Sequence, residues 1–503
     1  MAPTADSSQT PEAARKQRLR WGALPRPAAE ATLSWGKQRE ELQGLTAADV
    51  VRLILQAPEF EAVLGPTLDA IDERNAGQKA RPVRWKARQL ESLLIYRRVS
   101  GLGTIKRTRE RLTFDRAGRM LLGFGDELPS QATISRYLRQ HFDDAERAEL
   151  MKELERRLRL RVTELPGFED DAAILGMDGS KIEIHHTPPI RALAKPDEPP
   201  GPNNPRTGPI LNPDKVTAPE AGYVGGDSPK SGRGFQMVAI WTEHGTPLAW
   251  DISHLNENEK TAAGRAMQDY AKNVLPRRDP ARLAVLSADG GFDSNNIRRQ
   301  LQELRIVPNV HRASHGRKES SINNVAKLDE QRFPLHDPLK PAYANWFANG
   351  HGELSCRCGD GHVERQIGVT NGRLSIASVG RCSNCGSVRI NAGKWKRAQN
   401  ATRAQINRFV RVLPGDEGDR YFGNPLTFND PLASKYGRDR FSWGESFHST
   451  LSSRFGLLRD RCWMRGKAQA ETEFAIAFAA IHSLTLERAR KQALEPPGEA
   501  VAA

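Results

Sequence analysis

The sequence predicts an α/β fold: a mixed-sheet core, an all-α N-terminal region and a small cysteine-bearing insertion. Three observations carry this. Two apolar runs, Ile174–Met177 and Leu283–Ala288, each meet an aspartate, as buried strands do when they end at a site. Helical periodicity precedes and follows them. Four of the five cysteines crowd between Cys356 and Cys385.

At 503 residues the chain exceeds one ordinary domain and has room for roughly three. A net charge of +14 and a pI near 9.7 make a polyanion, and nucleic acid first, the expected large partner. Met1–Arg20 lacks the apolar core of a signal peptide, and no run reaches the ~18 apolar residues of a membrane helix. The expectation is a cytoplasmic, nucleoid-associated protein with no membrane partner. In that reducing compartment clustered cysteines point to a metal rather than to disulfides.

Residues 1–37 are rich in Ala, Pro, Ser, Arg and Glu without periodicity and read as a disordered tail. From 38 to 160 the texture is helical. Thr46 is placed to cap a helix whose apolar face is Val50, Val51, Leu53, Ile54 and Leu55, and further helices follow at Val83–Val99 and Thr104–Leu112. Ser130 caps another, with Ile134 and Leu138 turned inward and Gln131, Thr133, Arg136 and Arg139 outward. That is the build of a recognition helix in a helix-turn-helix; a packed helical hairpin is the alternative. Asp144–Leu160 closes the region.

Residues 161–312 carry the strands. Ile182 and Ile184 alternate with Lys181, Glu183 and His185, so Asp178 sits on a strand with one buried face, or in a hairpin turn Asp178-Gly179-Ser180. Thr187–Ser231 reads as a long Pro- and Gly-rich loop. Phe235–Trp241 and Pro247–Ile252 are strands, Asn258–Val274 a helix, Leu283–Ala288 a strand running into Asp289, Asn295–Leu304 a helix and Arg305–Val310 a last strand.

Residues 313–436 form an insertion. Cys356-Arg357-Cys358 and Cys382-Ser383-Asn384-Cys385 lie beside Gly359, Gly361 and Gly386, which permit tight knuckles. Four such thiolates close a tetrahedral shell around a structural Zn²⁺ in a zinc-ribbon-like unit. Reduced structural cysteines, with His351 or His362 as substitute ligands, are the other reading. Lys394, Trp395, Lys396 and Arg397 open a basic stretch suited to phosphate, or to a solvated helix face. In 437–490, Glu445 lies on a helix among Arg438, Arg440 and Arg454, an arrangement that a surface salt-bridge network also explains. Phe474, Ala477, Phe478, Ile481 and Leu484 repeat at helical spacing as core. A tail, 491–503, ends the chain.

Asp178 in Gly-Met-Asp-Gly-Ser, Asp289 in Ser-Ala-Asp-Gly-Gly-Phe-Asp-Ser, and Glu445 before Phe455-Gly456-Leu457-Leu458-Arg459 resemble the DDE transposases of bacterial insertion sequences. The likeness covers about residues 130–490 and rests on the order of short motifs. It implies a ribonuclease H-like core in which Asp178, Asp289 and Glu445 hold two Mg²⁺ (or Mn²⁺) ions for DNA strand cleavage and strand transfer. It implies double-stranded DNA as partner, at element ends and target site, with a homodimer bringing two ends together. The chain departs from one large branch of that family, which carries Tyr, Arg and Lys at fixed offsets; here Phe441 and Ser452 stand four before and seven after Glu445. Arg438, Arg440 or Arg454 would make the phosphate contacts instead. A DNA-binding protein without catalysis, or a ribonuclease H-like nuclease that cuts without joining, are the competing readings.

Overall fold

The structure, a computed structural model, describes residues 18–20, 45–77, 84–184, 220–224, 232–279, 282–310, 333–334, 341–348, 354–370, 373–391, 444–458, 464 and 466–494. It is a mixed α/β protein built on a mixed sheet flanked by helices on both faces.

The N-terminal half is helical: α1 Ala47–Gln56, α2 Pro58–Ala76, α3 Ala87–Val99, α4 Ile105–Phe114, α5 Arg116–Leu121, α6 Gln131–His141 and α7 Asp144–Val162, then a short α8, Phe168–Asp171. The starts follow local chemistry. Thr46 accepts from the Asp49 amide while the Asp49 carboxylate accepts from the Thr46 amide, a reciprocal capping box. Thr104, Ser130 and Asp143 cap α4, α6 and α7 in the same way with one side-chain bond each.

The sheet comprises β2 Ile174–Glu183, β3 Gly222–Val224, β4 Gly232–Thr242, β5 Pro247–His254, β6 Ala284–Ala288 and β7 Ile306–Val310. Its order is β5-β4-β2-β6-β7, with β3 pairing the start of β4 on the β5 side. β4 is antiparallel to β2 and β5, while β6 and β7 run parallel to β2, so of these five strands only β4 is reversed. Helix α9, Glu259–Asn273, follows β5, and α10, Asn295–Glu303, joins β6 to β7. β2 runs straight through Asp178-Gly179-Ser180, each residue pairing with β4; these three residues are strand, not turn.

The pleat divides the core in two. Phe235, Met237, Ala239 and Trp241 of β4, with Ile182 and Ile184, join a cluster with α1 to α3 and with two C-terminal helices, α11 at 444–453 and α12 Lys467–Leu494. Val238, Ile240, Leu175 and Met177 face α9 and α10. The expected core residues Phe474, Ala477, Phe478, Ile481 and Leu484 are all buried.

The cysteine region has its own small sheets: β1 Arg18–Arg20 with β11 His362–Thr370, β12 Arg373–Cys382 and β13 Gly386–Asn391, and beside it β8 Phe333–Pro334, β9 Trp346–Ala348 and β10 Leu354–Cys356. β1 belongs to the stretch read as a tail; Arg18, Leu19 and Arg20 pair with Gly368, Ile367 and Gln366. Among the described residues no helix is long and apolar enough to cross a membrane.

Candidate metal sites and their surroundings

Asp178 and Asp289 come together through strand register. Met177 on β2 pairs in parallel with Ala288 on β6, so the next residues, Asp178 and Asp289, lie side by side across the two central strands. Register parity gives them the same face, the one packed by α11. β6 is short and fully buried, and its apolar run stops where the chain must turn. There Asp289 Oδ1 accepts from the Gly291 amide at 2.7 Å, capping a one-turn 3₁₀ helix, Gly290–Phe292. Asp178 Oδ1 accepts from the Gly179 amide at 2.8 Å, and its side chain retains about a third of its exposure. The second aspartate of the motif, Asp293, is buried and pairs with Arg298 at 3.0 Å, which makes it structural.

Glu445 lies in the first described turn of α11 at an exposed position. The helix is fixed to the sheet by Phe447, whose ring stacks on Trp241 at 4.9 Å and 19°, and by His448. His448 Nδ1 lies 2.8 Å from Ser180 Oγ, and Nε2 lies 3.9 Å from Asp178 Oδ2. Glu445, one turn before His448, thus sits on the helix packed against this face of the sheet. Gly176 and Gly444 give Trp241 its room; a Cβ on Gly176 meets the indole at 2.6 Å. The three carboxylates are not drawn into one tight group: among the described residues the only set of three or more metal-ligating atoms within 4.8 Å of one another is the four cysteines.

The far end of α11 is anchored to the N-terminal helices. Arg98 of α3 donates to the Phe455 carbonyl at 2.8 Å. Gly101 and Gly456, both in the left-handed region at φ of 69° and 62°, bring the two backbones into contact. Arg454 lies at this junction. Burial alone holds its guanidinium below its ordinary value, and no acidic side chain pairs with it among the described residues.

The cysteine cluster is tight. Cys358 Sγ lies 3.4 Å from Cys356, 3.3 Å from Cys382 and 3.5 Å from Cys385, close enough for the four to bind a metal such as zinc. Gly359 and Gly386, at φ of 86° and 79°, turn the two knuckles. Behind them the Trp346 ring leaves no space for a Cβ on Gly361 or Gly380. The backbone N–H of Cys385 and the Cys358 thiol bring the Cys382 thiol down to about 7, while Cys358, despite a backbone N–H bond from Asp360, is pushed up to about 12 by the three thiols around it.

Helix α6 begins at Ser130 as expected, with Gln131, Arg136 and Arg139 exposed. Thr133 is committed to the cap, its hydroxyl 2.9 Å from Ser130 Oγ. The inward face includes Tyr137 beside Ile134 and Leu138; the sequence reading missed Tyr137, whose hydroxyl reaches Glu91 at 3.5 Å. Lys394, Trp395, Lys396, Arg397, Arg438 and Arg440 lie outside the described residues. His448 and Ser180 are the site residues that sequence reasoning passed over, although the spacing Glu445-x-x-His448 puts both on one helix face.

No family model matches the sequence, and no curated protein does either.

Proposed function

We propose that the chain is a DDE-type transposase with a ribonuclease H-like core, which cuts DNA at the ends of an insertion element and joins the cut ends to a target. The observation that carries this reading is the parallel register setting Asp178 beside Asp289 on the sheet face covered by the Glu445 helix. The sheet order, with its second strand reversed and a helix crossing from the fourth to the fifth, supports the ribonuclease H-like assignment.

The donor set fits hard divalent ions. Asp178 and Asp289 offer carboxylate oxygens at the sheet, and neither Asp289 nor Glu445 has an ion-pair partner among the described residues. Two Mg²⁺ or Mn²⁺ ions bound there supply an activated water or DNA 3′-hydroxyl and a Lewis acid for the leaving oxygen. The protein's own contribution is orientation. Asp178 and Asp289 are fixed by backbone N–H bonds, and Glu445 would reach the ions from α11, the helix packed on the same face of the sheet. Arg454, a partly desolvated cation, is suited to a DNA phosphate, which would compensate its burial. Exposed Gln131, Arg136 and Arg139 on α6 are offered to DNA, with Lys394, Trp395, Lys396, Arg397, Arg438 and Arg440 as further contacts from the sequence. The cysteine cluster holds a structural Zn²⁺ in this reading, and two copies on DNA pair two element ends.

The test is strand cleavage and joining on labelled DNA carrying the sequences that flank the gene, with Mg²⁺ or Mn²⁺. Native protein is expected to cut and join, and Asp178→Ala, Asp289→Ala and Glu445→Ala to bind DNA but do neither. Binding without cutting by native protein would support a non-catalytic DNA-binding role; cutting without joining would support a nuclease.

A further inference from the structure

The contact between α11 and β2 is more specific than packing requires. Ser180 lies two residues after Asp178 on one strand, so both side chains leave the same face of the sheet. His448 lies one turn after Glu445. Its ring is held by the Trp241 edge at 5.6 Å and 81° and by Phe447 at 5.5 Å and 67°. With Nδ1 engaged at 2.8 Å by Ser180 Oγ, Nε2 is the ring nitrogen turned to Asp178 Oδ2.

The 3.9 Å between Nε2 and Oδ2 is too long for a hydrogen bond. It does fit two ligands of one ion, because donors at roughly 2.1 Å from a metal stand at most about 4.2 Å apart. A hydrogen bond on the far ring nitrogen is also how proteins fix the tautomer of a ligating histidine.

We infer that His448 is a nitrogen ligand of the divalent ion held by Asp178, oriented by Ser180. This deepens the metal-dependent reading above and rests on it. An imidazole in the shell favours a first-row transition ion over Mg²⁺, which prefers oxygen donors throughout. The site should therefore hold Mn²⁺ more tightly than Mg²⁺, and a His448→Ala variant should lose most of that preference.

The experiment is Mn²⁺ titration of the full chain, its cysteine cluster first loaded with Zn²⁺, followed by pulsed electron paramagnetic resonance. Native protein is expected to show nitrogen modulation from a coordinated imidazole, and His448→Ala to bind Mn²⁺ without it. Ser180→Ala is expected to keep the modulation but bind Mn²⁺ about tenfold more weakly. Mn²⁺ held in an Asp178-dependent way with no nitrogen modulation, or modulation that persists in His448→Ala, overturns the inference and leaves the carboxylate site standing. Failure of native protein to bind Mn²⁺ through Asp178 overturns both.

Discussion

Two sets of carboxylates in this molecule meet opposite fates. Along the seam between the N-terminal helices and α12, Glu91, Glu155 and Glu473 are almost fully buried, and each is paired. Glu473 bonds both Arg97 and Arg98; Glu91 bonds Arg147 at 2.5 Å; Glu155 accepts from His482 Nε2 at 3.0 Å and lies 3.4 Å from Arg159. At the centre of the sheet, Asp178 and Asp289 keep solvent exposure; each accepts from a backbone amide, and His448 Nε2 lies 3.9 Å from Asp178. Burying a carboxylate is costly unless a cation compensates it, so the seam must be complete for the chain to fold. Asp289, with no ion-pair partner among the described residues, is instead available to a ligand. Charge alone does not separate function from structure; the partner does.

The sharpest way to break this contrast is to remove a seam carboxylate. Glu473→Ala leaves Arg97 and Arg98 buried without their anion and should cost about 3–5 kcal/mol in denaturant unfolding. The same seam sets a pH dependence. Burial pushes the Glu473 carboxyl up, but Arg97 and Arg98 more than reverse this and hold it at about 2, against an ordinary 4.5. The stabilisation is thus present above pH 4.5 and is lost as pH falls from there toward 2. Burial lowers His482 below its ordinary 6.5 despite Glu155, so protonation of the unfolded chain starts to erode stability already below that pH. An unfolding series from pH 8 to 3 checks both steps, and Glu473→Gln should flatten the lower one.

A smaller effect is expected where the seam meets the site. Gly101→Ala places a Cβ 2.7 Å from the Arg454 carbonyl at a left-handed φ, and should cost about 1–2 kcal/mol while loosening the end of α11. Thermal unfolding and joining rate should both fall, where a seam change away from α11 moves stability alone. Smallest of all, Arg136→Ala and Arg139→Ala on exposed α6 should leave unfolding unchanged. Each should lower the slope of log affinity against log salt by about one on double-stranded DNA.

Much of the site was legible because its logic is local. The alternation of Ile182 and Ile184 predicts a strand through Asp178, and the apolar run before Asp289 predicts its neighbour. Side-chain parity then puts the two aspartates on one face, once register is known. The register itself was not legible, since it depends on the pairing of Met177 with Ala288, over a hundred residues away. The seam was invisible for the same reason. Glu91, Arg147 and Glu473 sit on helices where spacing alone reads them as solvated, and only their packing across hundreds of residues buries them. Tyr137 was missed because its ring is core while its hydroxyl ends in that network. His448 was hidden by standing between the aromatic core and the face that carries Asp178: Phe447 before it stacks on Trp241, and its own ring turns to Ser180.

The most direct test sets one residue from each region side by side: Asp289→Asn and Glu473→Gln, each measured for unfolding free energy and for Mg²⁺- or Mn²⁺-dependent strand cleavage. Asp289→Asn should unfold like the native protein and cleave nothing, while Glu473→Gln should unfold far more easily and still cleave where it remains folded. Undiminished cleavage by Asp289→Asn, or a loss of stability matching that of Glu473→Gln, would contradict the assignment of Asp289 to a metal site.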